Sequence, residues 1–196
     1  MKNNPLHLNF IAVTVLIIVA ITTRLVPHPA NFAPMMAISI FGGALFYKKY
    51  WAILIPLISI WISDLLINNI MYGTYYESFQ WFYEGFVWQY LVYLLTSVIS
   101  ILLFTGKITS LKIASISIGS ALIFFIVSNF GVWISGTLYP KTLNGLITCY
   151  MMGLPFSKAT LSSNLLYTFV LFGVYYLIDQ KSFLISVKDQ FHWSWK

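Results

Sequence analysis

Long apolar runs recur along the chain, each closed by prolines, a basic pair or a polar turn. Crossing the hydrocarbon of a bilayer takes about 20 mostly apolar residues in a helix. On that measure the pattern predicts six spans, near residues 8–26, 34–47, 51–70, 86–104, 113–134 and 159–178. The first is stopped by Pro27 and Pro29, which cannot continue a helix. The second opens at Pro34, a favoured first-turn position, is short, and carries Gly42-Gly43. The apolar start resembles a signal peptide, but Arg24 and Pro27-His28-Pro29 follow where small residues would mark cleavage, so a retained first span is expected. The fold class expected is all-α, a polytopic six-transmembrane-helix bundle forming a single domain over residues 1–196.

Six spans leave both termini on one side, and the basic residues choose the side. With the termini cytoplasmic, the inner segments hold Lys2, Lys48, Lys49, Lys107, Lys112, Lys181, Lys188 and Lys196. The outer segments hold only Arg24, Lys141 and Lys158, a clear positive-inside bias. Two outer connections stand out. Residues 72–86 carry eight aromatics in fifteen positions, the composition of an interfacial belt. Residues 135–158 hold an apolar stretch too short to span, interrupted by Gly145, Gly153 and Pro155. They read either as a helix lying on the outer surface or as a partly re-entrant cap over an outward cavity, which is tolerated only where protein or water surrounds it.

Composition narrows the class further. Of 196 residues, 59% are hydrophobic and only 8% are charged, against roughly 25% in soluble chains. A water-facing shell cannot be built from so few charges. The net charge of +6 is spread thinly, with no basic run longer than Lys48-Lys49, so nucleic acid is not an expected partner. The lipid bilayer is. One cysteine, Cys149, rules out an intrachain disulfide and a cysteine zinc site. His28 has no histidine neighbour on its side, since His7 and His192 belong to the inner end, so no metal centre and no cofactor are expected. No Gly-x-Ser-x-Gly elbow, Walker A loop or carboxylate cluster is present, and no enzymatic activity is expected.

The polar residues at membrane depth are the candidate chemistry. Asp64 is the one acid well inside a predicted span, and Trp61, Asp64 and Asn68 share a helix face. Arg24, the only arginine, lies at comparable depth near the outer end of the first span. Isolated charges there are costly, so an Arg24–Asp64 pair is expected, with ligand contact by either as the alternative. Asn129 with Trp133, and Asn164 with Thr168, repeat an i, i+4 spacing near outer helix ends. Asparagine in a span is commonly glue between helices. The gathering of the strong polar groups in the outer leaflet also suits a pocket open to the outside. Its expected contacts are Arg24, His28, Asn31, Asp64, Asn129, Trp133, Tyr139, Tyr150 and Asn164, with His28 and Asn31 in the stiff Pro27–Pro34 loop. Few polar groups among many aromatics suit a small flat molecule rather than a bare ion.

Three segments together carry a resemblance. They are Arg24…Pro27-His28-Pro29…Asn31-Phe32…Pro34…Phe41-Gly42-Gly43-Ala44; Ser63-Asp64-Leu65; and Phe124-Phe125…Asn129-Phe130-Gly131-Val132-Trp133…Tyr139-Pro140…Thr142…Gly145-Leu146…Cys149-Tyr150, then Pro155-Phe156. The chain resembles an uncharacterised bacterial membrane family related to the S components of energy-coupling-factor transporters. The resemblance implies a substrate-binding subunit of the bacterial cytoplasmic membrane that takes up a small, vitamin-like molecule. It further implies a transmembrane coupling protein and two ATPase subunits as partners. The chain departs from that group in having Asn164 where an acid is common, and Ala12-x-x-x-Leu16 in place of an Ala-x-x-x-Ala coupling pattern. A non-transporting structural or assembly protein of the cell envelope is the alternative reading.

Overall fold

The computed structural model describes Leu6 and residues 10–191, with side chains for Leu6 and residues 13–177. Lys2, His7, His192 and Lys196, and the side chains of Lys181 and Lys188, lie outside the described residues. Among the described residues six α-helices follow one another: α1 (Phe10–Leu25), α2 (Met35–Leu45), α3 (Tyr50–Leu66), α4 (Phe86–Leu103), α5 (Ser110–Ser135) and α6 (Leu143–Phe191). A π turn, Ile67–Met71, extends α3, and a 3₁₀ turn, Gly73–Tyr75, opens the aromatic connection to α4. Helical segments Tyr50–Met71, Phe86–Leu103, Ser110–Ser135 and Leu143–Leu177 are long and apolar enough to cross a membrane. The protein is thus an all-α chain with the spans of a membrane protein.

α2 is the axis of the bundle. All eleven of its residues are buried, and it packs against α3, α4, α5 and α6. At about 1.5 Å per residue it is about 16 Å long, half the hydrocarbon thickness. Small residues let its neighbours close in, as packing between helices in lipid requires. A Cβ on Gly43 would stand 2.5 Å from Ser100 Cβ and 2.9 Å from the backbone nitrogen of Ile101 on α4. At the far end of α2, Lys49 Nζ donates to Gly43 O at 2.8 Å and Ala44 O at 3.4 Å, a cation on a helix C-terminus. Burial pushes that ammonium below its ordinary pKa.

A proline deletion in one helix ladder is repaired from another helix. Pro56 sits inside α3 and has no N–H for the carbonyl of Ala52, four residues back. Ser97 Oγ of α4 donates to that carbonyl at 2.8 Å. The repair ties α4 to α3 at the point where α3 would otherwise expose an unpaired acceptor.

The connection before the last helix departs from expectation. Residues 135–158 are neither a surface helix apart from α6 nor a re-entrant cap. From Leu143 onward they are the first turns of α6, which runs unbroken through Pro155. The true connection is residues 136–142. The reason is packing against α5. Tyr150 Oη donates to Ile126 O at 2.8 Å, Cys149 Sγ to Asn129 O at 3.3 Å, and Gly153 lies directly under the Asn129 amide. Those contacts hold the segment helical despite its glycines and proline. Cys149 is a buried free thiol, as its apolar surroundings suggest.

Candidate functional site

The Pro27–Pro34 connection brings the site together. It turns back on itself through Phe32 N–H to Pro29 O at 3.0 Å, with Asn31 at φ 63°, the third position of a turn that needs positive φ there. Asparagine tolerates that conformation better than most residues do. Ser163 Oγ of α6 donates to Asn31 O at 3.3 Å, and Phe32 packs edge-on against Tyr167. The loop is thereby docked on α6, across the bundle from α1.

Arg24 and Asp64 form the expected ion pair. Arg24 Nη1 stands 2.8 Å from Asp64 Oδ1, and both side chains are nearly buried. The same nitrogen donates to Ser63 Oγ and to Ile60 O, the latter at 3.2 Å. Tyr90 Oη of α4 donates to Asp64 Oδ2 at 3.2 Å, so both carboxylate oxygens are engaged. α1, α3 and α4 meet at this cluster. Asp64 also lies three residues before the π turn, a feature frequent at functional sites. In that turn Asn69 clamps the aromatic connection, with its amide donating to Gln80 O at 2.9 Å and accepting from Gln80 N at 2.7 Å.

Beside the ion pair the helices stand apart and leave space. A cavity of 70 Å³ is lined by Arg24, His28 and Asn31 together with Met36, Gln89, Tyr93 and Phe124. A second, of 230 Å³, shares Asn31, Gln89 and Phe124 with it and continues to Phe125, Asn129, Phe156, Ser157 and Thr160. A third, of 330 Å³, lies between α4 and α5 and meets the others at Gln89. Gln89 is fixed by two tyrosines. Tyr83 Oη donates to its Oε1 at 2.5 Å, and its Nε2 donates to Tyr93 Oη at 3.3 Å. Burial first, then the charge of Asp64, pushes the Tyr83 phenol above its ordinary pKa.

Of the residues expected at a site, Arg24, His28, Asn31 and Asn129 come together around these cavities, and Asp64 stands behind Arg24. The other four lie elsewhere. Trp133 Nε1 donates to Pro140 O at 2.9 Å, and the Lys141 ammonium stands 5.7 Å from its ring, so the indole folds over the short connection to α6. Tyr139 belongs to that connection. Tyr150 bonds α5, as above. Asn164 is fully buried, donates to Ser117 O at 2.7 Å and accepts from Thr168, and so joins α6 to α5. Gln89, Tyr83, Tyr90 and Tyr93 were not foreseen. One signal was available: Gln89 is the lone amide of the fourth span, four residues before Tyr93 on the same face.

Residues 4–187 match the model of a family of unknown function (DUF6580), and the chain belongs to that family. No curated protein matches the chain. No solved structure matches it either.

Proposed function

We propose that this member of a family of unknown function is the substrate-capturing subunit of an uptake system, taking a small vitamin-like molecule from the outer side of a bacterial cytoplasmic membrane. The observation that carries the reading is the meeting of three cavities at Gln89. Arg24, His28, Asn31 and Asn129 from α1, the Pro27–Pro34 loop and α5 converge on them. Adjoining spaces of 70, 230 and 330 Å³ reach the range of small-molecule sites, roughly 300–1,000 Å³, and the middle one sets Phe124, Phe125 and Phe156 beside amides and hydroxyls that can orient a ligand. A protein that only held others together would have no use for such space.

Six spans with both termini cytoplasmic, and an S-component-like bundle that works with a coupling protein and two ATPase subunits, complete the proposal. The eight-to-three division of basic residues supports the orientation. Gently purified protein should carry a co-purified small molecule in native mass spectrometry. Gln89→Leu and Asn129→Leu should lose that molecule while still folded. Protein that carries nothing, and takes up nothing from an extract of small molecules, would favour the envelope-scaffold reading.

A further inference from the structure

The three hydrogen bonds and ion-pair contacts of Arg24 all run through Nη1, to Ile60 O, Ser63 Oγ and Asp64 Oδ1. Nε and Nη2 make no hydrogen bond among the described residues, yet Arg24 lines the 70 Å³ cavity. The planar two-donor edge of the guanidinium is thus left over for a ligand, beside a space lined by no carboxylate. Asp64 has both oxygens engaged and holds the guanidinium from the opposite side. His28 lines the same cavity, with its ring nitrogens facing Pro29 O at 2.7 Å and Arg24 O at 3.3 Å.

We infer that the molecule captured at this site is a flat aromatic carboxylate. Its carboxylate docks in the small cavity on the Nε–Nη2 edge of Arg24, and its ring body lies in the adjoining 230 Å³ cavity between Phe124, Phe125 and Phe156. The inference rests on the capture reading and adds the chemical class of the substrate. A carboxylate matches the fork of a guanidinium edge with two parallel hydrogen bonds, where a neutral amide offers only one acceptor and meets a donor with a donor. Asn31, Gln89 and Phe124 border both cavities, so one molecule can occupy the two together. Asn129, Ser157 and Thr160 supply polar contacts at the far end of the ring.

The test uses the full chain in nanodiscs of zwitterionic lipid, so that no anionic headgroup competes. Ligand-detected NMR screens a fragment library of flat aromatic carboxylic acids, each paired with its primary amide, benzoate with benzamide and 2-naphthoate with 2-naphthamide among them. Acids should bind about tenfold to a hundredfold more tightly than their amides, the worth of a charge-assisted hydrogen bond. Asp64→Asn, which frees the guanidinium from its internal partner, should keep or tighten acid binding. Arg24→Gln combined with Asp64→Asn should erase the preference. If the double variant does not fold, Arg24→Lys decides, since it keeps a charge and loses the fork, and the preference should fall. Amides that bind as well as acids, or a preference that survives both Arg24 variants, would overturn the inference while leaving capture intact. Absence of binding in both halves of the library would overturn the inference as well, and the capture reading falls only if the purified protein also carries and takes up no small molecule in native mass spectrometry.

Discussion

The two ends of α2 are surrounded by opposite kinds of packing. Toward its C-terminus, Gly43 lets α4 approach until backbone meets backbone, and Lys49 closes the helix end. Toward its N-terminus, Met36 faces a space bordered by Arg24, Gln89 and Tyr93. Small residues join helices by removing the distance between them. Long polar side chains join helices by reaching across a distance, and the part they do not fill remains open. Around α2 the bundle is therefore closed where Gly43 meets Ser100 and hollow where Arg24, Gln89 and Tyr93 meet. A site for a small molecule belongs at the second kind of junction, because only there does tight folding leave room.

The strongest way to break the comparison is at the ion pair. Asp64→Ala leaves Arg24 unpaired and nearly buried and should cost about 3–5 kcal/mol. Asp64→Ala with Arg24→Leu should cost less than the single change, because no lone charge remains. Thermal unfolding in detergent measures both, and a double variant that loses the full sum of the singles would show that the pair does not couple.

At the closed end, Gly43→Val forces a branched side chain onto Ser100 and Ile101. It should cost about 1–3 kcal/mol by overpacking. The same substitution at Gly119, whose Cβ would meet nothing within 4 Å, should cost nothing, because helix propensity ranks valine slightly above glycine. Equal losses at the two glycines would mean that close approach is not what holds α2 to α4.

A finer test is the repair above Pro56. Ser97→Ala strands the carbonyl of Ala52 and should cost about 1 kcal/mol. In a Pro56→Ala background the helix supplies its own N–H, and the cost of Ser97→Ala should shrink to a few tenths of that. A double-mutant cycle by chemical denaturation reads the difference.

The smallest effect is expected in the loop that roofs the hollow end. Asn31→Gly relieves positive φ but loosens the unfolded chain, so stability should change by less than about 1 kcal/mol. Asn31→Val should lose more, since a β-branched residue resists that backbone. If valine is tolerated as well as glycine, the turn does not hold its present form.

Much of this was legible from residue order alone. An apolar chain with one arginine and one acid at membrane depth must bring them together, because no other partner removes the cost of either. Helix content, most of the span limits and the lipid environment follow from runs of apolar residues and their stops. The part of Asn164 as glue was available too, as one reading of an amide in a span. Three things were decided only by tertiary contacts. Whether Gly145, Gly153 and Pro155 interrupt a helix depends on what lies against them, and α5 presents Ile126 O and the Asn129 amide to hold the helix together. Whether Trp133, Tyr139 and Tyr150 wall a cavity or fasten a connection depends on the seven-residue link that the unbroken α6 leaves. Gln89 looks like any helix-borne amide until folding brings Tyr83, Tyr93 and three cavities to it. Periodicity reports which side of one helix is apolar. The space left between helices is a property of several helices at once, and no single run of sequence contains it.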